Sequence, residues 1–140
     1  MAYSTIQTRH DHETGWITFN RPEIHNAFNS TLISEMAGAF SEMENDSSIR
    51  VVILTGAGKS FCAGADLNWM RGVITQSFDE SLAESHALAD LFWQIYSFKR
   101  PVVARVNGAA IGGGTGFVAV CDMAIAAQSA VFSFSEVKIG

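Results

Sequence analysis

Cysteine and proline are scarce in this 140-residue chain, with two of each. Cys62 and Cys121 lie far apart with no CxxC spacing, so neither a structural zinc site nor a disulfide scaffold is expected, and a reducing cytoplasm is the expected setting. Charge is also low, at 16% of residues, with 9 Lys+Arg against 14 Asp+Glu and a net charge of −5. That balance argues against nucleic-acid affinity built on phosphate neutralisation. A small anionic ligand remains possible, because local amides or a few cations can hold one on an acidic protein. No apolar run reaches the length of about 18 residues that a spanning helix needs, so no membrane partner is expected. The start, Met1-Ala2-Tyr3-Ser4-Thr5, carries neither the basic cluster nor the apolar stretch of a leader. What the chain has is apolar material, 48% of its residues, too much for a disordered polar tail. One domain over residues 1–140 fits, burying roughly 68–70% of the unfolded surface.

Strand and helix patterns alternate along the chain. Ser4 to His10, a turn at Glu13-Thr14-Gly15 and Trp16-Ile17-Thr18-Phe19 read as a hairpin closed by Arg21-Pro22. Leu32, Ile33, Met36, Ala37, Phe40 and Met43 fall at helical spacing over Ser30 to Glu44, with Asn29 or Ser30 as N-cap. Val51 to Thr55 and Val102 to Val106 are short continuous apolar runs, the pattern of strands covered on both faces. A second helix is expected from about Asp79 to Phe98, a third over Phe117 to Cys121, and short strands at Met123 to Ala127 and Val131-Phe132. The alternation predicts an α/β fold with parallel pairings.

Two Gly-rich loops follow the buried strands, and such strand ends are where α/β proteins place ligands. Gly58-Lys59-Ser60 lacks the preceding glycine of a P-loop, which would fall at Ile53, so nucleotide binding is not expected. Ser60 misses the GxSxG elbow because Cys62 stands at the second glycine. Gly112-Gly113-Gly114-Thr115-Gly116 is out of register for a dinucleotide fingerprint. Cys62-Ala63-Gly64-Ala65 and Gly112-Gly113-Gly114 do share one property: their side chains are tiny. Backbone N–H groups there can reach a ligand directly, and two converging on one oxygen would form an oxyanion hole. Close packing of a helix on a sheet also demands small residues, and spacing alone leaves both readings open.

Three stretches taken in order carry a resemblance. They are Trp16 to Pro22 with His25-Asn26-Ala27-Phe28, then Phe61-Cys62-Ala63-Gly64-Ala65-Asp66-Leu67, then Val106 to Gly114 with Cys121-Asp122 behind it. They resemble the opening strand and CoA-contacting turn, the first oxyanion loop, and the second loop with its helix in the enoyl-CoA hydratase/isomerase (crotonase) superfamily. The resemblance implies the spiral of ββα units of the ClpP/crotonase fold. Residues 1–140 would form its N-terminal portion, without the C-terminal helices that close the acyl pocket and support trimers or hexamers. The family's chains are nearly twice as long, and this one stops inside a family motif at Glu136-Val137-Lys138-Ile139-Gly140.

The resemblance further implies an acyl-CoA thioester substrate, coenzyme A as part of that substrate rather than a separate cofactor, and no metal. By position, the amides of Ala65 and Gly113 would bind the thioester oxygen. Ala63, Ala65, Asp66, Leu67 and Asn68, with Asn26 and Ala27, would line the CoA. Hydratases of the best-known type have two Glu; here Gly116 stands at the first position and Glu136 at the second. One carboxylate is enough to move a proton between two carbons, the requirement of a 3,2-enoyl-CoA double-bond isomerase. A bacterial branch acting on branched or carboxylated enoyl-CoAs, methylglutaconyl-CoA hydratases of leucine degradation, also resembles this chain at Gly-Gly-Gly-x-Gly. Hydration of such a 2-enoyl-CoA is the favoured expectation, isomerisation the second, and a non-catalytic CoA binder the third.

The remaining polar residues have simpler readings. Asp66 is expected to cap a helix that begins beside it. His10 and His12 read as a solvated pair. Cys62 is expected to be a small packing residue with no nucleophilic role. Trp69, Met70, Phe92 and Trp93 are expected in the core or a subunit contact. Arg71 and Lys59 read as surface charges, or as partners for CoA phosphates.

Overall fold

The structure, a computed structural model, describes residues 3–138; Met1, Ala2, Ile139 and Gly140, the outer ends of the two terminal segments read above, lie outside them. Strands β1 (Ile6–Asp11) and β2 (Thr14–Phe19) form an antiparallel hairpin. Helix α1 (Ser30–Asn45) returns the chain to β3 (Val51–Gly56), which pairs in parallel with β2. Two helices, α2 (Leu67–Val73) and α3 (Phe78–Tyr96), lead to β4 (Val102–Val106), parallel to β3. The two-residue β5 (Ala110–Ile111) and α4 (Gly113–Ala119) precede β6 (Met123–Ala126), parallel to β4, and β7 (Phe132–Ser133) pairs back on β5. The main sheet has the order β1-β2-β3-β4-β6. This is an α/β architecture with parallel crossovers, as the alternation implied.

Local chemistry sets the boundaries. Asn29 caps α1 by accepting from Leu32 N, 3.0 Å away. Ser77 and Glu80 close a reciprocal capping box on α3, satisfying end groups the helix cannot pair itself. The hairpin turn falls at His12-Glu13, with His12 at φ 54°, and not at Glu13 to Gly15. Gly15 belongs to β2 instead; Met43 Sδ lies where its Cβ would be. The third helix starts four residues earlier than expected, inside the glycine run. Strand β3 is not covered evenly: Val52 and Leu54 are buried while Val51 and Ile53 are half-buried.

The core lies between the sheet and α1, with Ile17, Phe19 and Leu54 against Leu32, Met36 and Phe40. Helix α3 buries only Leu91 and Ile95, in its C-terminal half. Trp69 and Phe92 pack against this core, whereas Met70 and Trp93 are exposed. Edge-to-face rings run from Phe61 through Phe19 and Phe117 to Phe28 and Phe92, with centroids 4.9–5.7 Å apart, giving the Gly-rich loops a rigid floor.

Candidate active site

Both Gly-rich loops sit at the C-terminal ends of the parallel strands β3 and β4. After β3, two asparagines hold the chain. Asn26 is fully buried; its Nδ2 donates to Ala57 O (2.8 Å) and Ser60 O (2.9 Å), and its Oδ1 accepts from Arg21 N (2.9 Å). Asn107 accepts from Gly56 N and donates to Gly58 O and Ser60 O. The carbonyls of this loop therefore keep partners although the strand has ended. His25 Nδ1 and Ser60 Oγ lie 2.9 Å apart on its outer side.

The next five residues are pinned on both sides. Phe61 N and Cys62 N donate to Ala109 O, and Ile111 N donates to Cys62 O. Ala63 N donates to His25 O, Phe28 N to Gly64 O (2.8 Å) and Asp66 N to Phe28 O (2.8 Å). This ladder leaves out the amides of Gly64 and Ala65, and the Gly64 N–H bonds the Cys62 sulfur. Ala65 N–H has no backbone acceptor among the described residues. The same holds for Gly113 N–H, the first of α4.

Glycine brings the two amide-bearing segments together. Gly64 (φ +94°) presses on β5 so closely that a Cβ would lie 2.9 Å from Ile111 O and 3.8 Å from Gly113 N. At Gly114 a Cβ would overlap the Cys62 carbonyl oxygen. At Gly113 it would stand 2.6 Å from the Phe28 ring. Loop and helix thus touch backbone to backbone, which only residues without side chains permit.

The carboxylate arrives by way of β7. Pairing of Ala110 with Phe132 and Ile111 with Ser133 is locked by Gly112 N donating to Ser133 O (2.7 Å). Thr115 Oγ1 donates to Ala110 O (2.7 Å) and lies 3.1 Å from Ser133 O. The short helical turn Ser135–Lys138 follows, and Glu136 Oε1 lies where a Cβ on Gly112 (φ +54°) would be. Glu136 therefore stands one residue from the free Gly113 amide. Its side chain is exposed.

A cleft of about 420 Å³ opens beside Ala65, lined by Ala27, Ala63, Ala65, Asp66, Leu67 and Asn68, with Ile24 and Arg71 also on its wall; Gly113 and Glu136 are not among its lining residues. Asn26 does not face it, being buried behind the turn. Asp66 caps α2 through Asn68 N (2.9 Å) and pairs with Arg21 Nη2 (2.9 Å). Burial would raise its pKa, but the Asn68 amide and the Arg21 guanidinium outweigh that and hold the carboxyl below its ordinary range. An apolar groove of about 450 Å³ between α1 and α3 holds neither free amide nor Glu136.

The other candidates separate cleanly. Burial pushes the Cys62 thiol up to about 12, so it is a packing group and not a thiolate. His10 faces Asp46 and His12 faces Asp11, in two distinct surface pairs. No helix among the described residues is long and apolar enough to cross a membrane.

This arrangement has counterparts among known proteins. A family model described as enoyl-CoA hydratase/isomerase matches residues 10–140. The chain belongs to the enoyl-CoA hydratase/isomerase family. It is 38% identical over its whole length to a Mycobacterium bovis protein named "Probable enoyl-CoA hydratase echA8", of which it covers 52%. Solved structures agree. An enoyl-CoA hydratase of Shewanella pealeana matches 98% of the chain at a TM-score of 0.94 and 35% identity, with 52% of that chain covered. An enoyl-CoA hydratase/isomerase of Marinobacter aquaeolei matches 97% at a TM-score of 0.91 and 36% identity, with 53% covered. The chain spans about half the length of the curated relatives it matches.

In a chain of this family, Gly116 is informative. A Cβ there would meet the Phe92 ring at 3.0 Å, so a longer side chain enters only if that ring moves. Phe92 packs in turn on Phe117. The position that resemblance assigns to a first glutamate is therefore filled by an aromatic neighbour.

Proposed function

We propose that this protein works on acyl-CoA thioesters through an enolate whose oxygen is held by the Ala65 and Gly113 amides, with Glu136 moving the proton. The favoured reaction is hydration of a branched or glutaconyl-type 2-enoyl-CoA. The reading is supported by the close approach of the 62–65 loop to the start of α4, where the Ala65 and Gly113 amides have no backbone acceptor, with Glu136 against Gly112 and a cleft running along Ala63 to Asn68. The thioester oxygen accepts from both N–H groups. Negative charge then gathers on it as water adds at the β-carbon, and a proton is delivered to the α-carbon. Each donor contributes about 3 kcal/mol to such a transition state. The CoA portion lies along Ala63 to Asn68 and Ala27, and coenzyme A enters as part of the substrate. A homotrimer or dimer of trimers in the cytoplasm is the assembly this reading favours, and both cysteines are free thiols.

One observation favours a second reading. With Phe92 against Gly116, Glu136 is the carboxylate next to the amides, and a single carboxylate serves a 3,2-enoyl-CoA isomerase by taking the proton from one carbon and returning it to another. The test common to both is Glu136→Gln in the full protein. Turnover should fall by about 100-fold or more while acyl-CoA binding persists. Unchanged turnover removes Glu136 from the reaction. Binding without turnover in the wild type would instead leave a CoA-binding protein.

A further inference from the structure

Arg21 stands between two parts of the site that are far apart in sequence. Its Nη2 donates to Asp66 Oδ2 (2.9 Å) and its Nη1 to Ala27 O (2.7 Å). Its backbone is fixed as well: the N–H donates to Asn26 Oδ1, and the carbonyl accepts from Asn26 N (2.9 Å) and Ile24 N (3.1 Å). The side chains of Arg21 and Asp66 are only 17% and 12% exposed, so solvent screens this pair weakly.

Asp66 directly follows Ala65. Upstream of that amide, Gly64 sits at φ +94° and Phe28 N donates to its carbonyl. Downstream, Asp66 N donates to Phe28 O. The orientation of the Ala65 N–H is therefore set against residue 28. Residue 28 in turn leaves a turn in which His25 and Asn26 both have positive φ, 55° and 59°. Non-glycine residues hold such angles only when their surroundings enforce them. One planar guanidinium bonds this turn at Ala27 and the amide-bearing loop at Asp66. Its two-pronged geometry is one a lysine cannot reproduce.

We propose that Arg21 is a positioning residue for the Ala65 amide, acting through Asp66 while anchoring the 25–28 turn. The proposal rests on the oxyanion reading above. The test uses the full protein and two readouts. One is steady-state kinetics with the acyl-CoA substrate. The other is the absorbance of a bound 2,4-dienoyl-CoA, whose conjugated band moves to the red when both amides polarise its carbonyl. Arg21→Met should lower kcat by about 10–100-fold, the scale of a displaced reacting group, with KM little changed, and should shrink the red shift. Asp66→Asn keeps an oxygen for the Asn68 amide but loses the charge, and should shrink the shift in the same way. The double variant should fall no further than Arg21→Met, since both act through one contact. Arg21→Lys should fold and give an intermediate shift, which keeps the test decisive if Arg21→Met is unstable.

A wild-type shift retained in both single variants overturns the proposal, as does strict additivity in the double variant. A wild type that neither polarises nor converts any acyl-CoA overturns the oxyanion reading, and the role of Arg21 with it.

Discussion

Alanine in place of glycine inside a helix ordinarily stabilises by about 1 kcal/mol. At Gly38, within α1, the nearest atom to the new methyl would be the Tyr3 hydroxyl at 3.7 Å, so Gly38→Ala should deliver that gain. At Gly114 the same change should reverse sign. The methyl would take the place of the Cys62 carbonyl oxygen, with the carbonyl carbon 2.8 Å away. These are backbone atoms, and Cys62 is held from both sides by Ala109 O and Ile111 N. Relief requires α4 and the 62–65 loop to move apart. Overpacking costs about 1–3 kcal/mol, and weakening the Ile111-to-Cys62 hydrogen bond adds about 1 kcal/mol. Set against the propensity gain, Gly114→Ala should lose about 2 kcal/mol. Urea denaturation of Gly38→Ala and Gly114→Ala side by side measures both signs. Turnover should fall further than stability accounts for, because the free amides separate with the loop and helix. A Gly114→Ala protein as stable as Gly38→Ala would refute the close approach on which the site is built.

Other expectations follow from single contacts. Asn26→Ala strips two donors from the carbonyls of Ala57 and Ser60 and an acceptor from Arg21 N, and should cost about 2–4 kcal/mol by chemical denaturation. Glu35 is subject to burial, which raises its pKa, but hydrogen bonds from Thr5 and Ser4 prevail and lower it from 4.5 to about 2. Its folded pKa lies below the unfolded one, so its stabilisation is complete above the unfolded value and fades as pH falls towards 2. After solvent screening that amounts to roughly 1 kcal/mol, and Glu35→Gln should flatten this part of the stability–pH curve. Cys62, buried with its thiol pushed up to about 12, should resist iodoacetamide in the folded protein and react in denaturant, read by mass spectrometry.

Legibility in the sequence tracked how local each cause is. The apolar run Val102 to Val106 became β4 without adjustment, and Asn29 caps α1, because strand burial and caps depend on neighbouring residues. Helix α4 was hidden for a physical reason. Its first turn, Gly113-Gly114-Thr115-Gly116, is mostly glycine, a poor helix former retained where α4 and the 62–65 loop meet backbone to backbone. The pairing of β5 with β7 was illegible, since two residues carry no period. Yet this pairing delivers Glu136 to Gly112, so resemblance pointed to the carboxylate while its neighbours awaited the fold. Arg21, Asn107 and Thr115 lay inside the stretches read above, but nothing in the sequence gave any of them a role of its own. Each acts on carbonyl or carboxylate oxygens that only the fold brings within reach.

The measurement that bears most directly on the enolate chemistry is product mass after mixing the full protein with 3-methylglutaconyl-CoA and, separately, with a 3-enoyl-CoA. A gain of one water on the first substrate is expected, abolished by Glu136→Gln. Double-bond migration at unchanged mass on the second would move the reaction to the isomerase reading while keeping the oxyanion site. Binding of both thioesters with neither converted would contradict the account.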